Sequence, residues 1–492
     1  MRPNPGFFNA RRLLIGMVCS AAASQALAYN LSEAYQDALS NDAKLASARA
    51  ALEADRQLVP LARSRTRPQI NGSAAVNRIR SDTNLTDPAN FTGQTYGVNL
   101  QWPLYAPAAR TAVDQSMMQL TIGEAQLASA EQDLVLRVAE AYFNVLAADN
   151  TYSTTIAEKT AIAEQLAAAK RNFEVGTATI TDQQEAQARF DLAVAQELAA
   201  QNALEVARAA LSQLTGKPVP KLADLAADVT LAPPEPSVES AWTTRAREDN
   251  LIVQQAALGT DIARAEIDRQ RYAGYPTLAA VGQLAYAKNP SASFVGVSSN
   301  TASAGLQLSV PIYSGGGIDA GVRQASANLD RANADLEVVR REAEQAARQS
   351  YLGLASGLSQ VKALEAAEKS SQLALDSNRL GYRVGVRINI DVLNAQQQLF
   401  KTQRDLARAR YDVLLNGLRL KSTIGALANE ELTKVSTLLS ETAKPPGSGG
   451  ASPSGANEAP ESRKTPAASP AASSSAEAAR AAGTRRVTKP IK

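Results

Sequence analysis

The stretch GYRVGVRINIDVLNAQ, residues 381–396, echoes an earlier one, NFEVGTATITDQQEAQ, residues 172–187. Val175, Gly176, Asp182, Ala186 and Gln187 return as Val384, Gly385, Asp391, Ala395 and Gln396, each 209 positions later. A glycine admits the positive φ that a reversal after a helix requires. Each stretch therefore reads as the tip of a helical hairpin. No proline lies between Pro107 and Pro218, nor between Pro311 and Pro445. Proline is the strongest helix breaker, so both spans are free to form long helices. The sequence predicts outgoing helices over 108–171 and 318–380, each on the order of 95 Å at about 1.5 Å per residue. Returning helices are expected over 180–215 and 389–424.

The echo extends outward from the tips. TYGVNLQWPLY from Thr95 matches SAGLQLSVPIY from Ser303, with Pro103 facing Pro311 and Tyr105 facing Tyr313. RPQI at Arg67 resembles YPTL at Tyr275, and LTG at Leu214 matches TIG at Thr423. One duplication of the chain follows, not a short-period solenoid. Each half opens with a helical stretch, over 30–66 and 238–273. Two alternating runs come next, over 69–80 and 94–105, then over 277–288 and 302–313. Val98, Leu100, Trp102 and Leu104 oppose Gly97, Asn99 and Gln101; Ala304, Leu306, Leu308, Val310 and Ile312 oppose Ser303, Gly305, Gln307 and Ser309. Period two over such a length is a strand signal. The segments SDTNLTDPANFTG and KNPSASFVGVSSN read as polar loops between the strands.

A transmembrane β-strand needs about 9–11 residues, with one face to lipid and one to a polar lumen. These strands meet that length. Four strands cannot close a barrel, and an open edge in lipid leaves backbone groups unpaired. Membrane-borne strands of this chain must therefore close between several copies. A soluble sandwich face would show the same alternation.

Composition narrows the function. Residues 1–28 carry Arg2, Arg11 and Arg12, then LLIGMVCSAAA, then ALA before Tyr29, the pattern of a secretory signal peptide. Cys19, the one cysteine, falls inside it; Val18 before it argues against a lipid anchor. The rest of the chain has no thiol and no histidine, so disulfides, the usual general base and the commonest metal ligand are missing. No nucleophile–base pair, phosphate loop or metal cluster appears. The expectation is no enzyme, no cofactor and no metal. The near-neutral charge gives no nucleic-acid footprint. After the leader no apolar run is long enough for a membrane helix. From 444 the chain is rich in Pro, Ala, Ser and Gly and is expected to be disordered to residue 492. The boundaries are then 1–28 leader, 29–236 first repeat, 237–443 second repeat and 444–492 tail.

The leader, the doubled helix–hairpin–helical hairpin, and the runs AYFNVL, FEVGTATITD, SVPIYSGGG and GYRVGVRINIDVLNAQ together resemble the TolC family of outer-membrane channel-tunnels over 29 to about 440. The resemblance implies an α+β, mostly α fold and a homotrimer. Four strands per chain would form one 12-stranded barrel in outer-membrane lipid, continuing into a periplasmic α-helical barrel. It implies a passive exit duct that docks with a periplasmic adaptor (membrane fusion) protein. The inner-membrane partner would be an efflux pump or an ABC transporter, serving drug efflux or type I secretion. By position, Tyr382 and Arg387 on the second tip match gate residues, as do Asp182, Thr181 and Gln165 on or near the first. Asp391 matches the first of two aspartates at the pore constriction, while the second position holds Asn394. Three carboxylates rather than six would then line the ring, enough to favour cations at a narrow pore.

Each residue also has a plainer reading. Tyr382 is an ordinary aromatic at a helix end, Arg387 and Asp182 are solvated charges, and Asp391 caps its helix, where negative charge is favoured. The rival function is a periplasmic coiled-coil adaptor or structural protein. Such a chain usually carries one hairpin within β-rich domains, not two hairpins with two amphipathic strand pairs.

Overall fold

The computed structural model describes residues 28–83, 86–226, 229–291 and 294–440. The leader, except its last residue, and the tail from 444 lie outside them. The opening helical stretch is three helices, α1 (Leu31–Asn41), α2 (Ala43–Arg56) and α3 (Leu58–Ser64). Asp42 makes the first break. Its carboxylate accepts from the Leu45 amide at 2.8 Å and pairs with Arg137 at 2.7 Å, a local cap outcompeting continued helix. The Arg137 guanidinium holds the Asp42 carboxyl below its ordinary range.

Strand β1 (Gln69–Thr83) pairs antiparallel with β2 (Thr86–Tyr105). Most of the stretch expected as a polar loop is thus ladder: Arg78, Ile79, Arg80 and Ser81 face Thr92, Phe91, Asn90 and Ala89. Backbone pairing carries this extension, which the hydropathy of the side chains does not announce. The long helix α4 (Pro107–Glu174) follows and returns as α5 (Ile180–Thr215). Pro107 sits in the first turn of α4, where a missing N–H costs nothing.

A two-residue strand, β3 (Asp224–Leu225), leads into α6 (Glu239–Asp249) and α7 (Leu251–Tyr272). Asn250 separates these two helices by capping α7, and its amide donates to the Thr423 carbonyl at 2.8 Å. Strands β4 (Thr277–Lys288) and β5 (Ser298–Ser309) come next. β5 stops short of the expected Tyr313 because its partner begins only at Thr277, after Pro276, which has no N–H to offer. Val310, Pro311 and Ile312 are left outside the ladder. The sheet order is β1-β2-β4-β5, antiparallel throughout, so the two hairpins join through β2 and β4. The rod α8 (Gly317–Arg383), α9 (Asn389–Thr423), α10 (Asn429–Thr437) and β6 (Leu439–Ser440) complete the chain, and β6 pairs with β3.

The largest apolar core lies where α1, the middle of α4, α5, α9, α10 and the β3–β6 ladder meet. Tyr142, Phe143, Leu134, Leu211 and Leu432 are essentially inaccessible there. Each such side chain contributes about 1.5–3 kcal/mol on burial. The Tyr142 hydroxyl lies 2.9 Å and 2.8 Å from the carbonyls of Tyr29 and Ala223, satisfying the one polar atom the ring takes inside. Burial pushes its ionisation upward. Elsewhere alanines alternate with larger apolar side chains where the rods meet: Ala169, Ala186 and Ala193 beside Ile162 and Leu166 between α4 and α5, Ala343 and Ala347 beside Leu336 and Leu354 on α8. Small residues let long helices approach closely and leave a blurred apolar stripe. Among the described residues no helix is long and apolar enough to cross a membrane.

Candidate gate at the hairpin tips

The two tips share one backbone design. At the first, Gly176 takes φ +78 and the Thr177 amide donates to the Asn172 carbonyl at 2.8 Å. At the second, Gly385 takes φ +80 and the Val386 amide donates to the Gly381 carbonyl at 2.9 Å. A Cβ at either φ > 0 glycine would be strained. The side chains then differ. Thr179 caps α5 and forms a capping box with Asp182: the Thr179 amide and hydroxyl donate to the carboxylate at 3.0 and 2.6 Å. The Thr181 hydroxyl lies 2.6 Å from that of Thr179. At the second tip the cap is Ile388, which offers no side-chain acceptor. There Arg387 reaches Asp391 at 3.6 Å, one turn along.

Polar ties run from the first hairpin to the second. The Asn172 amide donates to the Tyr382 hydroxyl at 3.1 Å, which leaves the phenolic hydrogen free to donate elsewhere. The Gln165 amide donates to the Asn389 side-chain carbonyl. Arg189 on α5 donates to Gln397 at 2.8 Å and to Asn394 at 3.1 Å, forking onto two α9 residues three apart. Farther from the tips, Arg404 of α9 meets Glu158 of α4 at 2.7 Å, with the carboxylate side chain 4% exposed.

Within one chain, therefore, Tyr382, Arg387 and Asp391 gather at the second tip and Thr181 and Asp182 at the first. Asp182 bonds to its own turn, and Gln165 meets Asn389. Asn394 is bonded to Arg189, and Asp391 carries an ion pair. Asn389 and Gln396 each keep one buried polar atom unbonded within the chain, a cost of about 1–3 kcal/mol each unless a further partner supplies the bond. Sequence reasoning missed Asn172, Arg189, Glu158, Asn389, Arg404 and Gly381. Asn172 and Gly381 open the two quoted stretches, 209 residues apart, and that shared position was the available signal. A Cβ on Gly381 would come within 2.7 Å of the Arg387 side chain, so this glycine gives the arginine its place against α8.

An antiparallel four-stranded sheet carried on two paired rods with polar-tied tips defines a channel-tunnel subunit. The chain belongs to the outer membrane efflux protein family, which it matches over residues 34–217 and 242–426. Those two segments fall on the two halves of the chain. It is 32% identical over 426 residues to outer membrane protein TolC of Vibrio cholerae serotype O1, covering 86% of this chain and 97% of that one. It is 30% identical over 431 residues to the alkaline protease secretion protein AprF of Pseudomonas aeruginosa, covering 86% and 90%. In fold it is similar to the CmeC outer membrane channel of Campylobacter jejuni, with a TM-score of 0.71 at 17% identity over 89% of this chain and 98% of that one. The protein is an outer-membrane channel-tunnel.

Proposed function

We propose that three copies close one barrel of twelve strands and that the resulting duct passes cargo outward without chemistry of its own. The carrying observation is the four-stranded sheet, with β1 and β5 as unpaired edges and apolar residues such as Ile70, Leu284 and Leu306 mostly exposed. Lipid tolerates neither open edge, so both must pair with neighbouring copies. The duct docks with a periplasmic adaptor and an inner-membrane efflux pump or ABC transporter. Small molecules and secreted proteins are its cargo classes, the second suggested by the likeness to a protease secretion protein. Its lumen performs no catalysis and holds no cofactor.

The tips are the gate. Tyr382 keeps a donor hydrogen, Arg387 keeps guanidinium N–H groups, and Thr181 offers an acceptor at the first tip. Asp182 retains acceptor capacity beyond its cap bonds. Between neighbouring copies these groups form ties strong enough to shut the entrance and exchangeable when a partner docks. Asp391, with Asn394 one turn on, forms the constriction. Tyr382→Phe combined with Arg387→Ser should raise single-channel conductance in planar bilayers several-fold. Conductance equal to the parent protein would remove the gate assignment.

A further inference from the structure

Where β2 runs into α4, the apolar face of the sheet ends in an open cleft of about 580 Å3. Arg63 from the last turn of α3 and Arg110 from the first turn of α4 line it, with Thr66, Trp102, Leu104 and Asp114. Both arginines are exposed, and among the described residues neither enters an ion pair. Two cations against one carboxylate leave the cleft with a net positive charge. Arg65 and Arg67, also exposed, stand in the link from α3 to β1 and add to it.

The neighbourhood says what kind of anion fits. Trp102 is 44% exposed and shares its strand face with Val98, itself 46% exposed. That is the apolar face, which turns to lipid in a barrel with a polar lumen. An exposed indole at the end of a lipid-facing strand marks the membrane–water boundary. Guanidiniums at that depth meet phosphate, and the apolar strand beyond meets acyl chain. We infer that this cleft binds the headgroup of an anionic phospholipid, of the phosphatidylglycerol class, in the membrane leaflet that faces the helices. A soluble phosphate would make no use of Trp102 or Leu104. A second copy of the chain would have to bring carboxylates to both arginines.

Trp102 supplies the probe. The only other tryptophan, Trp242, is buried against α8 and donates to the Pro236 carbonyl. Purified trimers are reconstituted in phosphatidylcholine vesicles containing a minor fraction of brominated phosphatidylglycerol or, in parallel, brominated phosphatidylcholine. The brominated anionic lipid should be enriched at Trp102 roughly fivefold over the neutral one, the scale expected for about one net charge near a membrane surface. Arg63→Gln with Arg110→Gln should bring the ratio to one while the trimer stays intact. Equal quenching by both lipids in the parent protein overturns the inference. Dissociation of the trimer in the double variant also overturns it, since the cleft is then a subunit contact. Loss of the preference on adding inorganic phosphate at constant ionic strength would make it a phosphate site, not a lipid one.

Discussion

Asp391 and Arg387 lie one helical turn apart and bridge at 3.6 Å, with the arginine side chain 58% exposed. An exposed pair of this kind contributes little to stability, so its proposed place at the constriction is tested through ion selectivity rather than through folding. In a trimer, three carboxylates and three guanidiniums would stand close together at the constriction. Asp391→Ala should therefore do more than weaken cation preference. It removes the negative partners and leaves Arg387, so the reversal potential under a salt gradient should move past neutrality toward anions. An unmoved reversal potential would place the selective ring elsewhere. Asn394 adds a second control. Arg189 holds its side-chain carbonyl at 3.1 Å, so a carboxylate introduced by Asn394→Asp would meet a guanidinium already in place. Its gain in cation preference should be smaller than the loss from Asp391→Ala.

Besides the apolar core that α4, α5 and α9 share, ion pairs join the two hairpins, and Glu158–Arg404 is the most buried of these, with side chains 4% and 23% exposed. Removing one partner of a buried pair strands the other charge and costs about 3–5 kcal/mol, whereas replacing both by apolar groups is often neutral. Glu158→Ala should therefore loosen the α4–α9 joint, visible as faster amide exchange in the middle of both helices. Glu158→Leu with Arg404→Met should restore parent-like protection. If single and double variants exchange alike, the pair does not hold the joint. Neither residue was legible as a pair, because they lie 246 positions apart and each sits among ordinary surface charges in the sequence. The rods themselves were legible: proline-free spans flanked by a glycine reversal leave a helix little alternative, and α4 and α8 run to Glu174 and Arg383 beside those glycines. The strands were legible on their alternating portions alone. The β1–β2 extension to Thr83 and Thr86 rests on backbone ladders among mostly polar residues, with the Ile79–Phe91 pair and Ala89 as the apolar breaks, and periodicity does not report it. At the tips the echoed Val-Gly turn pointed to Asp182 and Asp391, whereas Tyr382 and Arg387 were singled out only by the family resemblance. The partners Asn172 and Arg189 depended on how two distant hairpins face each other.

At the scale of the whole molecule the sheet poses the decisive constraint. β1 pairs on one side with β2, β5 on one side with β4, and each presents its other edge unpaired. A twisted antiparallel sheet of four strands closes only by adding copies, and in lipid it must close completely. Closure joins β5 of one chain to β1 of the next, head to tail, a heterologous contact that ends in a ring. The sequence makes this directly testable. Cys19 lies in the expected leader, so the chain that remains after leader removal has no thiol, and introduced cysteines report without background. Ser73→Cys in β1, combined in turn with Thr301→Cys, Ser303→Cys, Gly305→Cys or Gln307→Cys in β5, samples the possible registers. Mild oxidation in the outer membrane should give, for the register that matches, covalent dimer and then trimer, and no larger species. Each single variant should remain monomeric on a denaturing gel. A ladder continuing beyond trimer would mean an open or larger assembly. No cross-link at any β5 position would mean that these edges do not meet, and the twelve-stranded barrel would fall with them.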